Sequence, residues 1–152
     1  MLSPLTYANS FIKRSLETRV PLNHMQLQKL LYLLYARYSF RSGGEPLFAN
    51  NFECWPFGPV LSDVYQEFKK FGKSPISDFA YNCDRRVAIA GIKEAPLLEE
   101  CFDEVWARFS LYSGVHLSRL THKEGTAWSK ANEKGSILLD LEEIRRDGEA
   151  LF

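Results

Sequence analysis

Residues 23–40 read N-H-M-Q-L-Q-K-L-L-Y-L-L-Y-A-R-Y-S-F, and this stretch decides the fold. It holds no proline, no glycine and almost no β-branched residue, so nothing in it opposes a helix. Pro21 marks a boundary before it, Asn23 can cap the first turn, and Gln26 can complete a capping box. Apolar side chains cover nearly the whole circumference. The pattern therefore predicts a buried helix about 27 Å long that crosses the domain.

Two polar residues, Gln28 and Lys29, interrupt this apolar surface. A buried amide or ammonium group needs a partner, because leaving it unpaired costs several kcal/mol. One interpretation is that Gln28 brackets neighbouring backbone while Lys29 extends its charged end to water. The alternative is that both side chains face a groove that a partner uses.

Composition limits the possible classes of protein. The 152 residues suit one domain with a sizeable core, and 45% hydrophobic residues with 14% aromatics predict a globular chain. The 19 basic and 19 acidic residues balance, which argues against nucleic-acid binding through phosphate contacts. No signal peptide or membrane-spanning run is recognisable. The three cysteines are widely spaced and include no CxxC pair, so we expect a reduced, cytoplasmic protein without a disulfide framework or zinc site.

The chain on either side of the central helix divides into further elements. Ser3-Pro4 begins an amphipathic helix that runs to about Thr18. Residues 46–48 and 52–55 flank Asn50-Asn51 and predict a small hairpin or extended loop. The segment Trp55–Val60 carries two prolines, so we expect a fixed turn after which Pro59 begins the next helix, ending at Gly72.

The second half of the chain is predicted to be mostly helical. Residues 73–91 alternate weakly and predict a short hairpin around Asn82–Asp84. Further helices are predicted at Pro96–Tyr112, His116–His122, Thr126–Asn132 and Leu139–Phe152. Gly148 should weaken the last of these. The fold class predicted is mainly α, a single domain over residues 1–152 with a small β-hairpin, organised around one buried central helix.

Catalytic signals are weak. No P-loop, dinucleotide fingerprint or G-x-S-x-G sequence is present, and no histidine or cysteine has zinc-ligand spacing. His122 could act as a general base oriented by Glu124 in a hydrolase. The favoured interpretation is that His122 is a hydrogen-bonding residue that pins its turn with Trp128 packed beside it. Cys54 is interpreted as a small core residue, since no base is evident near it.

Three segments in order resemble a known protein family. They are Met25-Gln26-Leu27-Gln28-Lys29-Leu30-Leu31-Tyr32, then Phe52-Glu53-Cys54-Trp55-Pro56-Phe57-Gly58-Pro59-Val60 followed by Val64-Tyr65, and finally Leu120-Thr121-His122 through Thr126-Ala127-Trp128. Gly44-Glu45-Pro46-Leu47-Phe48 adds to the likeness. These segments are similar to the motifs of the Panacea domain, the SocA-like and GepA-like phage-associated family, with Cys54 where alanine is usual. The resemblance covers almost the whole chain.

This resemblance implies an antitoxin that neutralises a protein toxin by direct binding, without a catalytic residue, cofactor or metal. One branch of the family delivers its toxin to the ClpXP protease, so a proteolytic adaptor is the first alternative. A hydrolase using His122 and Glu124 is the second. A DNA-binding autorepressor is disfavoured by the zero net charge. The toxin's identity and the oligomeric state stay open.

The residues predicted to contact the partner combine motif positions with aromatic character, because aromatic side chains anchor protein interfaces. They are Lys29, Tyr32, Trp55, Phe57, Tyr65, His122 and Trp128.

Overall fold

The computed structural model describes residues 1–152 and confirms a mainly helical fold with one small antiparallel hairpin. The elements in order are α1 (Pro4–Thr18), α2 (His24–Ser42), β1 (Glu53–Trp55), β2 (Gly58–Val60), α3 (Ser62–Phe68), α4 (Pro96–Phe109), α5 (Gly114–His122), α6 (Ala127–Lys134) and α7 (Leu141–Ala150). Short 3-10 turns occupy Lys69–Phe71 and Ile92–Glu94. None of these helices combines the length and apolar character that a bilayer crossing requires.

Helix α2 is the centre of the molecule, as the sequence predicts. Asn23 and Gln26 form the predicted capping box, and Gly43 ends the helix in the left-handed conformation. Every residue from 27 to 36 is buried. Helices α1, α3, α4, α5 and α7 and strand β2 all pack against α2. Its apolar circumference is therefore matched by neighbours on every side.

Helix α7 approaches α2 more closely than any side chain would allow. A Cβ atom at Gly148 would lie 2.0 Å from the Ala36 carbonyl oxygen and 2.9 Å from the Phe40 Cβ. The Arg37 guanidinium reaches across to the Gly148 carbonyl oxygen at 2.9 Å. Gly148 lowers helix propensity, as expected, but the structure uses it to bring the two helix backbones together.

The hairpin lies one segment later than predicted. Strand β1 pairs with β2 in the register Glu53–Val60, Cys54–Pro59 and Trp55–Gly58, with Pro56 and Phe57 as the turn. Of the two alternatives predicted around Asn50-Asn51, the hairpin is therefore wrong, and residues 44–52 form a loop without regular secondary structure. Leu47 and Phe48 are buried core residues instead, and the Phe48 ring packs 5.0 Å from that of Tyr35.

Pro59 does not begin a helix, which corrects the second prediction for this region. It occupies the middle of β2, and α3 starts at Ser62. A proline is tolerated in an edge strand because its missing N–H takes nothing from the ladder. The two prolines of this segment are thus compatible with a turn, where Pro56 lies, and with an edge strand, where Pro59 lies.

Residues 73–91 contain no strand, so the hairpin predicted around Asn82–Asp84 is wrong as well. Asn9 of α1 holds this segment in place: its side-chain nitrogen donates to the carbonyl oxygens of Ala80 and Ala88, each at 2.9 Å. The Ala80 N–H donates back to the Asn9 side-chain oxygen at 2.8 Å. One buried amide therefore satisfies main-chain groups that a strand partner would otherwise take.

Candidate partner-binding site

Four alternate carbonyl groups of the hairpin segment each accept a hydrogen bond from a helix side chain. Trp128 Nε1 donates to Trp55 O at 2.7 Å, and Ser118 Oγ donates to Phe57 O at 2.6 Å. Lys29 Nζ donates to Pro59 O, and Gln28 Nε2 to Leu61 O, both at 3.0 Å. Three helices, α2, α5 and α6, thereby fix the backbone of the hairpin from residue 55 to residue 61.

Gln28 also bonds the hairpin in the other direction, since its Oε1 accepts from the Leu61 N–H at 2.9 Å. The predicted bracketing of backbone by this amide is confirmed. Both polar atoms of a fully buried side chain are satisfied, so its burial costs little. The pair also sets the start of α3, whose Leu61 cap makes no side-chain hydrogen bond of its own.

Lys29 does not extend to water, so that prediction is wrong. Its side chain is 1% exposed and lies beneath the hairpin. Gly58 makes this possible, because a Cβ there would lie 2.8 Å from Lys29 Cε and 3.1 Å from Thr121 Oγ1. Gly58 also has φ +119°, a conformation that favours glycine. The glycine of the motif is thus required both by the turn and by the lysine under it.

Burial lowers the basicity of this region. It lowers the pKa of Lys29 from 10.5 to about 7, with the carbonyl of Pro59 as the hydrogen-bond partner. The pKa values of His24 and His122 are also lowered, first by burial and then by the nearby Lys29 charge. Three basic groups around the hairpin therefore lose their protons more readily than they would in water.

Aromatic rings cover the outside of the hairpin. The Trp55 ring meets Tyr65 edge-on at 4.9 Å, and the His24 ring also meets Tyr65 edge-on, at 5.9 Å. The His122 ring lies 3.9 Å from Trp128. Trp55, Tyr65, His122 and Trp128 are all partly exposed. We call Trp55, Phe57, Tyr65, His122 and Trp128 the aromatic face.

Phe57 is the most exposed member of the aromatic face. It occupies the tip of the hairpin, and 65% of its surface is accessible to solvent. Its carbonyl is tied to Ser118 of α5, so the backbone that carries the ring is fixed while the ring itself has no covering. Large exposed apolar side chains on a fixed backbone are typical of protein interfaces.

Of the seven residues predicted to contact a partner, four are joined by ring contacts and a hydrogen bond: Trp55, Tyr65, His122 and Trp128. Phe57 lies exposed at the tip of the same hairpin, and the other two residues do not reach the surface. Lys29 lies beneath the aromatic face, and Tyr32 is 0% exposed in the core. The Tyr32 hydroxyl donates to Asp147 Oδ2, and the same oxygen accepts from the Ala127 N–H at the start of α6. Neither residue offers surface to a partner, so we revise their predicted role to supporting the residues above them.

Sequence reasoning missed Asp147 and Ser118 as contributors to this region. Burial raises the pKa of Asp147 to about 6, although its hydrogen bonds to Tyr32 and Ala127 oppose the shift. Asp147 follows Ile144 by three residues and precedes Leu151 by four, so it shares their helix face. That spacing was the feature of the sequence that could have predicted the burial of Asp147. Ser118 gave no comparable sign, because its role depends on where Phe57 lies.

The surroundings of His122 and Cys54 do not match those of a general base or an activated nucleophile. Glu124 is exposed, and the buried His122 Nε2 has no hydrogen-bond partner, so the two are not arranged as base and orienting carboxylate. The hydrogen-bonding role predicted for His122 is not met at this nitrogen, whereas Trp128 packs beside the ring as expected. Burial raises the pKa of Cys54, which makes its thiol a weaker nucleophile. No cluster of three metal-ligating side chains occurs.

Comparison with known proteins connects this geometry to a family. The model of the antitoxin SocA-like Panacea domain matches residues 27–129. The chain belongs to this family. It is also 30% identical over 135 residues to Antitoxin SocA of Caulobacter vibrioides (strain NA1000 / CB15N), an alignment that covers 86% of this chain and 71% of the relative. No solved structure matches the chain at a significant level.

The match to the Panacea domain coincides with the site. It begins at the buried part of α2 and ends within α6, so it contains the whole hairpin and all five residues of the aromatic face. Asp147 and Gly148 of α7 lie outside it. The matched region is therefore the part of the chain that builds and holds the hairpin, which agrees with the resemblance found in the sequence.

Proposed function

We propose that this protein is the antitoxin of a bacterial or prophage toxin–antitoxin pair and neutralises its toxin by direct binding through the aromatic face. Membership of the antitoxin SocA-like family supports the role. The single observation that carries the site is Phe57, exposed at the tip of a hairpin whose backbone is held by helix side chains. A fixed aromatic anchor loses little conformational entropy on binding, which favours affinity.

The lowered basicity of the groups under the hairpin supports this assignment. Because burial lowers the pKa values of Lys29, His24 and His122, less positive charge lies behind the aromatic face than the residue types suggest. An apolar centre with few charges is typical of protein interfaces. We therefore expect the toxin to present an apolar surface to the hairpin, and we place the complex in the cytoplasm, where three free cysteines remain reduced.

All helices contribute to one cluster of buried residues, so we propose that the 152 residues act as one Panacea-type domain. Phe152 takes part in this packing, since its ring meets that of Phe109 edge-on at 5.4 Å. The proteolytic adaptor, which would deliver the toxin to ClpXP, remains the alternative to test.

The test is co-expression of the tagged protein with the product of the adjacent gene. If that product is the toxin, it should arrest growth alone, and co-expression should restore growth and yield a stoichiometric complex. The half-life of the toxin separates the two mechanisms, because a masking antitoxin leaves it unchanged or longer and an adaptor shortens it. If the product arrests growth, but co-expression neither restores growth nor yields a complex, the proposed function is refuted for that pair.

A further inference from the structure

The hairpin has a third backbone partner on the side of β1 away from β2. The Cys54 N–H donates to Ile137 O at 2.7 Å, and the Leu139 N–H donates to Phe52 O at 3.0 Å. These two bonds make an antiparallel bridge between Glu53 and Leu138. Residues 136–139, which we call the outer edge, thus extend the hairpin into a small three-stranded arrangement.

The outer edge leaves backbone groups unpaired. In a bridge of this type, the N–H and C=O of the middle residue point away from the neighbouring strand. Those groups of Leu138 take part in no backbone hydrogen bond within the chain, and the side chain is 48% exposed. Ile137 beside it is 74% exposed, and Leu141 is also exposed. An unpaired strand edge with apolar side chains is a template for another strand.

An acidic cavity of about 250 Å³ lies beside Leu138. Its walls include Glu53, Asp63 and Asn50, and no lysine or arginine lines it. Asp63 accepts a hydrogen bond from Asn50 Nδ2 at 2.9 Å, and Glu53 accepts one from Trp55 Nε1 at 3.3 Å. Neither carboxylate has an ion-pair partner, so the cavity favours a basic side chain.

We propose that the outer edge binds an extended segment of the toxin, which adds a strand next to Leu138 and places a lysine or arginine side chain in the acidic cavity. The inference rests on the proposed function, since it requires a protein toxin as partner. The Glu53–Trp55 hydrogen bond connects the outer edge to the aromatic face. The two surfaces thus meet at this hydrogen bond.

Charge decides between a toxin segment and a second copy of this chain. Pairing two outer edges about a two-fold axis would bring residues 136–139 of one copy to the edge of the other, and none of these residues has a basic side chain to offer the acidic cavity. A second copy would therefore leave the carboxylates of Glu53 and Asp63 without a counter-charge, whereas a basic segment of a different protein neutralises them. The occupant that the charges favour is therefore a partner with a positively charged strand.

The first experiment removes the charges of the cavity without changing its shape. Affinity for the toxin is measured for the wild type and for the double variant Glu53→Gln/Asp63→Asn, in which both internal hydrogen bonds keep an acceptor oxygen. We expect a loss of at least about tenfold and a weaker dependence of affinity on salt concentration. An affinity and salt dependence equal to those of the wild type would overturn the proposal.

The second experiment removes the backbone donor. Leu138→Pro lacks the outward N–H, and Leu138→Ala keeps it while losing the same apolar contacts, so the second variant is the matched control. We expect the proline variant to bind more weakly than the alanine variant, with thermal unfolding confirming that both fold. Equal affinities of the two folded variants would contradict strand addition, and if the proline variant does not fold, the charge variant decides alone.

The outcomes separate this inference from the proposed function. If Phe57→Asp abolishes binding while the cavity and edge variants bind as the wild type does, the outer edge is not the contact and the proposed function stands. If the wild type does not bind the toxin, the proposed function itself fails. Self-association of the wild type that Leu138→Pro removes, measured by sedimentation, would assign the edge to a second copy and overturn the proposal.

Discussion

The two halves of α2 hold their neighbours by different chemistry. The first half uses Gln28 and Lys29 to bond main-chain carbonyls of the hairpin segment. The rest of the helix, from Tyr32 onward, packs its backbone against Gly148 of α7, and the Tyr32 hydroxyl donates a hydrogen bond to the buried Asp147. The hairpin region carries the exposed aromatic residues, whereas the residues at the contact between α2 and α7 are mostly buried. The difference teaches that stability and partner binding should be separable by substitution along a single helix.

The largest expected effect is at the contact between α2 and α7. Gly148→Ala puts a Cβ within 2.0 Å of a backbone oxygen of α2, so the two helices must move apart. We expect a loss of about 3 kcal/mol or more in the free energy of unfolding, measured by urea denaturation. Glu149→Ala, on an exposed residue of the same helix, is the control and should change stability little. Equal stability of both variants would show that the helices can separate at no cost.

The next effect concerns the pH dependence that Lys29 gives to stability. Its pKa falls from 10.5 in the unfolded chain to about 7 in the folded protein, so between these values the unfolded state binds more protons. Stability must therefore rise with pH from about 7 toward 10, by on the order of 3 kcal/mol for this group. This contribution to stability is lost as the pH falls toward the folded pKa of Lys29, about 7.

Urea denaturation of the wild type and of Lys29→Met at several pH values between 7 and 10 isolates this contribution. The methionine keeps the volume of the side chain and removes the titrating group, so the stability of the variant should rise less across this range. The Lys29 charge also lowers the pKa values of His24 and His122, but both lie below pH 7, so the groups that titrate between pH 7 and 10 cancel in the difference. Parallel stability curves for the two proteins would mean that Lys29 does not have the lowered pKa.

A smaller effect is expected for the Tyr32 hydroxyl. Tyr32→Phe leaves the buried Asp147 carboxylate with the Ala127 N–H alone, which should cost about 2 kcal/mol at pH 7. The hydroxyl lowers the pKa of Asp147 and so favours the ionised form, while burial sets that pKa to about 6. The cost of the substitution should therefore be smaller at pH 5 than at pH 7, as measured by thermal or urea unfolding. A cost independent of pH would contradict the assigned hydrogen bond.

The same contrast explains what the sequence could predict. The bounds of α2 follow from the Asn23–Gln26 capping box and Gly43, all of which act locally. The hairpin was placed wrongly because Pro59 fits either a helix start or a strand edge, and the choice depends on Lys29 and Gln28 reaching its carbonyls from another element. Local rules do not contain that information.

The sequence predicted the aromatic residues of the candidate site. It did not predict which of the site residues are exposed and which are buried beneath them. Residue type and motif marked Trp55, Phe57, Tyr65, His122 and Trp128. Lys29 was taken for a possible surface residue because a buried lysine with a carbonyl as its partner is rare. Its burial depends on the space that Gly58 leaves above it, which only the folded hairpin reveals.

The most direct test of the account is the affinity of Phe57→Asp for the toxin, measured by calorimetry alongside its melting temperature. Phe57 is mostly exposed, so the melting temperature should stay close to that of the wild type, the smallest effect on stability expected here. Binding should fall by at least about a hundredfold, as for a central aromatic anchor. Leu16→Asp, at an exposed apolar residue of α1, is the matched control and should bind normally. A folded Phe57→Asp protein that binds the toxin as tightly as the wild type would contradict the claim that the hairpin tip is the antitoxin's contact surface.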